Sequence, residues 1–114
     1  MNDLAERLFV FATDVLKYLN EIKYSDETRV IKYQLSKSAT SAGANYEESQ
    51  GSSSKLDFRN KVFIALKEMR ESNYWLRICK EMNYGDAEKN IILVKESKEL
   101  MNILGSIVSK IKKD

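Results

Sequence analysis

The side chains that could do chemistry in this chain are limited in kind. There is no histidine, which removes the commonest general base and the commonest metal ligand. The Glu-x-x-His pairs that build di-iron sites in helical bundles are therefore excluded as well. Four carboxylates, Glu47, Glu48, Glu68 and Glu71, could offer a hard cation oxygen ligands alone. Their ordinary use is salt bridging and surface solvation, and neither a metal nor a cofactor is expected. Cys79 has no histidine to activate it and falls near the C-terminal end of a helical stretch, where the helix dipole opposes a thiolate. It reads as a packing residue. Gly51 followed by serines is no Walker motif, and no serine-based triad can be assembled. No catalytic residue is expected, and the chain does not read as an enzyme.

What remains is charge and hydrogen bonding. Residues 1–53 carry eight acids and six bases, whereas residues 54–114 carry nine acids and thirteen bases. The net charge of +2 is thus unevenly placed, although it falls well short of the strongly basic footprint of many nucleic-acid binders. On composition alone a mixed, solvated surface is the simpler reading. If phosphates are bound, the candidates are Arg59, Lys61, Lys67, Arg70, Arg77, Lys110, Lys112 and Lys113. A second pattern is polar. Ser38, Ser41, Asn45 and Glu48 step by three, four and three, so they share one face of a helix. Lys67, Glu68, Arg70 and Glu71 crowd another helical stretch. Such a pair of stripes is expected to form a hydrogen-bond network that fixes helix register; a binding surface is the alternative.

The elements that must position these groups are all helical. The chain has no proline and four glycines in 114 residues, a composition suited to long helices and poor for a turn-rich β fold. Leu4, Leu8, Phe11, Val15 and Leu19 predict a first helix from about Asp3 to Ile22, with Asp3 as its cap. Ser25 or Asp26 opens a second, reaching about Ser49, with Val30, Ile31, Leu35, Ala39, Ala42 and Tyr46 as its apolar stripe. The loop from Gln50 to Ser53 leads to Ser54 and Asp57, close to a capping box. A third helix then runs to about Met82, buried along Phe58, Val62, Ala65, Leu66, Met69 and Leu76, with Asn73 interrupting. Gly85 suits the left-handed conformation of a helix end, and Asp86 caps a fourth helix. Short connections make neighbours antiparallel, so the expected fold is one all-α domain, an antiparallel up-down-up-down four-helix bundle over residues 1–114.

Two runs exceed what one bundle can bury. Leu8 to Ala12 and Ile91 to Val94 are apolar in succession, and five such residues sweep past a full helical turn. Tyr18, Tyr33, Tyr74, Trp75 and Tyr84 add aromatics, a residue class enriched at interfaces. Self-association is expected. Gly43 and Gly105 fall inside helices, where close helix crossings are the usual compensation. No apolar run reaches the roughly 18 residues of a transmembrane span. The start, Asn2, Asp3, Leu4, does not read as a signal peptide. With its single cysteine, the chain is expected in a reducing cytoplasm.

The centre of the chain carries a denser pattern. Between Gln34 and Leu76 stand Ser38, Ser41, Ala44, Asn45 and Glu48, then Lys55, Phe58, Ala65, Leu66, Glu68, Glu71, Trp75 and Leu76. This segment resembles the signature of the four-helix-bundle proteins associated with intervening sequences in bacterial 23S ribosomal RNA genes. Ala42 stands where that family more usually has isoleucine, a change of packing. The resemblance implies an up-down bundle that assembles into five-fold rings. It gives Ser38, Ser41, Asn45, Glu48, Phe58, Glu68, Glu71 and Trp75 a structural role. A similar protein serves as accessory factor to the reverse transcriptase of diversity-generating retroelements, which implies RNA or DNA, or a protein partner, as the ligand. A ring of five would carry five times the +2 of one chain.

Overall fold

The computed structural model describes residues 3–111. Helix α1 spans Asp3–Asn20, α2 Asp26–Ser49, α3 Lys55–Glu81 and α4 Ala87–Lys110, and among the described residues there is no strand. The helices lie side by side in a body of 45 × 23 × 23 Å, as antiparallel helices up to about 40 Å long should. The expected four-helix bundle is the fold.

Side-chain caps start three of the helices. Ser25 Oγ accepts from the Thr28 amide at 3.2 Å while Thr28 Oγ1 accepts from the Ser25 amide at 2.9 Å, a reciprocal capping box. Ser54 Oγ accepts from the Asp57 amide at 3.0 Å, but Asp57 returns its bond to Ser53, one residue earlier than the box requires. Asp86 accepts from the Lys89 amide at 2.9 Å. Each cap contributes about 1 kcal/mol. Asp3 lies within α1, and that helix ends at Asn20, two residues before the expected Ile22. There the Glu21 and Ile22 amides bond to carbonyls three residues back, which tightens the last turn and ends the helix.

The turn after α3 uses two left-handed residues, Gly85 at φ 77° and Asn83 at φ 58°. Asparagine is among the few other residues that tolerate this region. At Gly85 the requirement is double, because a Cβ would stand 2.7 Å from Tyr18 Cε1. Tyr18 itself, read from sequence as a candidate interface aromatic, is wholly buried. Its hydroxyl donates to the Tyr84 carbonyl and accepts from Asn90 Nδ2. Burial pushes its pKa up to about 12.

The core is one continuous cluster drawn from all four helices, including Leu8, Phe11, Leu35, Met69, Leu76, Leu100 and Leu104. Full burial of each such side chain contributes roughly 1.5–3 kcal/mol. Packing around the bundle is uneven. α2 meets α3 most extensively and α1 meets α4 least. The thin α1–α4 side is bridged by charge, with Arg7 forked onto Glu96 and Lys89 paired with Glu21 at 2.7 Å. The Arg7 pair, partly screened by solvent, contributes at most about 1 kcal/mol. On the α1–α2 side, a Cβ at Gly43 would sit 3.5 Å from Leu8 Cβ and 3.6 Å from its backbone. The helices do cross closely there. At Gly105 the nearest atom would be Leu66 Cδ2 at 4.0 Å, so packing leaves that glycine unexplained.

Candidate nucleic-acid interface and polar seam

α3 presents three arginines along one line. Arg59, Arg70 and Arg77 are eleven and seven residues apart, about three and two helical turns. The line faces the seam with α4. Arg59 Nε donates to the Ile111 carbonyl at 3.0 Å, and Arg77 Nε donates to Asn73 Oδ1 at 2.9 Å. Asn73 is fixed in turn, its Nδ2 donating to Ser97 Oγ on α4 at 2.9 Å. The asparagine that interrupted the apolar stripe thus pins α3 to α4 and orients an arginine. Arg77 also lies over the Tyr74 ring, 5.8 Å from its centroid, a cation–π contact. Each of these two guanidiniums hydrogen-bonds to a described residue through Nε alone. Four of its five N–H donors remain for a ligand.

Between them, Arg70 makes no hydrogen bond or ion pair with any described residue. It borders an open cleft of about 430 Å³ with Met101, Asn102, Gly105, Ser106 and Ser109. No acid lines this cleft; Asn102 and Ser106 bring hydrogen-bond donors to it, whereas Ser109 donates its proton to the Ser106 carbonyl. Lys98 stands seven residues, about two turns, before Gly105 on the same side of α4. Sequence reasoning passed over Lys98, and the seven-residue spacing to Gly105 was the available signal.

The other proposed basic residues are placed differently. Lys67 is exposed beside the arginine line, and Lys110 is exposed in the last turn of α4. Lys61 faces away toward α2, 3.6 Å from Asp57 and 4.0 Å from Glu48. Lys112 and Lys113 lie outside the described residues.

The polar stripes meet at the α2–α3 seam. Buried Ser38 Oγ lies 2.8 Å from Ser72 Oγ, and Ser72 also donates to the Glu68 carbonyl. Asn45 Nδ2 donates to the carbonyl and hydroxyl of Ser41. Trp75 Nε1 donates to Glu71 Oε1 at 3.3 Å. Phe58 packs half-buried against the core, and Glu48 is exposed. Burial, and then the nearby Glu71, hold the Glu68 carboxyl above its ordinary pKa. Ser72, the bridge across this seam, gave no signal in the apolar pattern. Among the described residues no group of three or more His, Cys, Asp or Glu could hold a metal ion. Cys79 is buried, and burial pushes its thiol pKa up.

The surplus apolar residues stay outside the core. Phe9 is 58% exposed, Ile91 55% and Ile92 65%; Val30 and Tyr33 on α2 and Ile64 on α3 are exposed as well, and Trp75 is half-buried. Among the described residues, no helix is long and apolar enough to cross a membrane.

Comparison with known proteins places this geometry. A family model described as 23S rRNA-intervening sequence protein matches residues 2–106. Among solved structures, a protein of unknown function from the S23 ribosomal protein family of Bacteroides thetaiotaomicron superposes with a TM-score of 0.84 at 30% identity. That match covers 92% of this chain and 97% of the other. No curated protein matches the sequence.

Proposed function

Because the chain belongs to the 23S rRNA-intervening sequence protein family, we propose that it is a non-catalytic helical module that self-associates and grips structured RNA or DNA by its phosphates. The observation that carries this reading is the arginine line on the α3–α4 seam. Arg59, Arg70 and Arg77 are in no ion pair with any described residue, and the cleft at Arg70 contains no acid. Eighteen residues of helix span about 27 Å, the rise of roughly eight base pairs at 3.4 Å each. Guanidiniums held through Nε keep their terminal amino groups for bidentate contact with phosphate oxygens. One chain of +2 offers few contacts. An assembly brings several arginine lines to one ligand, and linked contacts raise avidity without new chemistry. Association is assigned to the exposed apolar residues, and a five-membered ring is the size that the family resemblance implies. A lone buried cysteine suits a reducing compartment, so the cytoplasm is the proposed location.

Size exclusion with light scattering, at low and moderate salt, tests this reading. A mass near five times 13.2 kDa, with nucleic acid bound at low salt and released at moderate salt, is expected. A clean monomer that carries no nucleic acid overturns it. A second reading has its own observation: α2 and α3 leave Val30, Tyr33 and Ile64 exposed, apolar surface suited to a protein partner such as a reverse transcriptase. Partner capture that survives moderate salt while nucleic acid is lost would favour it, since apolar interfaces respond little to screening.

A further inference from the structure

α3 carries more than arginine on its outer face. Phe63, Lys67, Arg70, Tyr74 and Arg77 step by four, three, four and three, so they form one stripe along the helix. All five are exposed, and the rings are exposed by 41% at Phe63 and 49% at Tyr74. A single exposed aromatic needs no explanation. Two that alternate with three cations are a different case. Lys67 stands one turn from Phe63, and Arg70 and Arg77 flank Tyr74 on either side.

The acids of this stretch are engaged elsewhere. Between Phe63 and Arg77 the helix holds Glu68 and Glu71. Glu68 is partly buried and Glu71 accepts the Trp75 indole N–H. Neither forms an ion pair with the three cations. Tyr74 is held by two contacts: Arg77 lies over its ring, and the Trp75 ring meets it at 73° with centroids 5.2 Å apart. A ring already held loses little freedom when a ligand settles on it. The cations decide what kind of ligand that is. An apolar partner surface would strip water from them and leave them unpaired, which is costly. A strand of nucleic acid answers both features, with phosphates for the cations and flat bases for the rings. Bases inside a duplex are already stacked, and freeing one costs energy, so the rings select bases that are unpaired from the start. The eleven residues from Phe63 to Tyr74 span about 16 Å, the length of about five stacked nucleotides.

We propose that this stripe is a stacking platform for unpaired bases, so that the nucleic acid the chain takes is one whose paired helix runs into a single strand. Bases rest on Phe63 and Tyr74, and phosphates on Lys67, Arg70 and Arg77. The proposal rests on the phosphate-binding reading and adds a preference that phosphate contacts alone do not give. Phe9, Ile91 and Ile92 stand on α1 and α4, so the stripe does not compete with them for association. The test is fluorescence anisotropy of the intact chain at low salt with two DNA ligands. One is a 20-base-pair duplex with a single-stranded adenine tail of about six nucleotides, enough to reach both rings at 3.4 Å each. The other carries an abasic tail of the same length, which keeps every phosphate and removes the bases. The adenine tail should bind at least about tenfold tighter. Phe63→Ala with Tyr74→Ala should bring the two ligands to equal affinity, with abasic binding changed less than about threefold. Tyr74→Phe keeps the ring and should keep the preference. Equal affinity of the parent chain for the two tails overturns the proposal and leaves phosphate binding standing, whereas failure to bind either ligand overturns both. An adenine preference that survives the double substitution overturns it as well. So does an equal loss of both ligands in that variant with its circular dichroism unchanged, because the rings would then act only by placing Arg77. The parent comparison decides even should the variant fold poorly.

Discussion

α3 faces two seams made of opposite materials. Toward α2 the polar side chains bond to one another or to nearby backbone: Ser38 with Ser72, Asn45 with Ser41, Trp75 with Glu71. Toward α4 they hold cations in place: Ser97 holds Asn73, Asn73 holds Arg77, and the Ile111 carbonyl holds Arg59. The first arrangement is largely closed, and its polar groups have partners within the chain. The second leaves guanidinium donors open along one line. A closed network specifies packing, whereas fixed and unsatisfied donors suit a ligand. One helix can thus serve architecture on one side and recognition on the other.

The strongest way to break this comparison is to reverse charge on one seam at a time. Arg59→Glu, Arg70→Glu and Arg77→Glu together should weaken binding of a 20-base-pair duplex at low salt by at least about a hundredfold. The salt slope should also lose about three units of phosphate contact. Fluorescence anisotropy across a salt series reads both. Lys37, exposed on α2 and near enough to Glu68 to act on its charge, serves with Lys61 as the control, and Lys37→Glu with Lys61→Glu should change affinity less than about threefold. Equal losses from the two sets would dissolve the distinction between the seams.

Next in size are the buried pins. Asn73→Leu removes the bond to Ser97 and frees Arg77, while Ser97 keeps its bond to the Val94 carbonyl. Its expected cost is about 1–3 kcal/mol, read from urea unfolding, together with weaker duplex binding. Ser72→Ala on the other seam should cost about 1 kcal/mol and leave duplex binding as it was. If Asn73→Leu lowers stability alone, the α3–α4 pin is architecture, and Arg77 needs no positioning.

These pins mark where the sequence stopped being readable. Helix starts were legible because a cap is a local event: Ser25, Ser54 and Asp86 each bond within three residues. The apolar stripes were legible because burial follows the helical period. Tyr18 was misread although its spacing was available, three residues after Val15 and seven after Phe11. Its aromatic class suggested an interface, and its partners, Tyr84 and Asn90, lie more than sixty residues away. Ser72, Asn90 and Ser97 are buried polar residues satisfied in part by other helices. No local pattern announces a partner on another element. The arginine line was present in the spacing, but only the α4 side shows that its cleft lacks acids.

A smaller effect separates the two mid-helix glycines. Gly105→Ala should stabilise the chain by about 0.5–1 kcal/mol, because alanine is the better helix former and the nearest neighbour of its Cβ is at 4.0 Å. Gly43→Ala should gain less, since its Cβ meets Leu8 at 3.5 Å. Thermal melts compare them directly. If the cleft beside Gly105 admits a phosphate group, Gly105→Ala should also weaken duplex binding several-fold, and Gly43→Ala should not.

The smallest effect sharpens the comparison from the α2 side, where a partly buried acid stands among polar groups. Burial first, and Glu71 second, hold the Glu68 pKa above its ordinary 4.5. The folded chain therefore keeps this proton to higher pH than the unfolded chain does. Across the window that opens near 4.5 and extends above it, the folded state binds more protons, so stability from this group falls as pH rises. Glu68→Gln removes the titration. Its stability relative to the parent should grow as pH is raised through that window and then level off, measured by urea unfolding at matched ionic strength. Duplex affinity should keep the same pH dependence in parent and variant, because Glu68 lies on the seam that the arginines do not face. A pH-dependent change in duplex binding caused by Glu68→Gln would show that the two sides of α3 are electrostatically one surface.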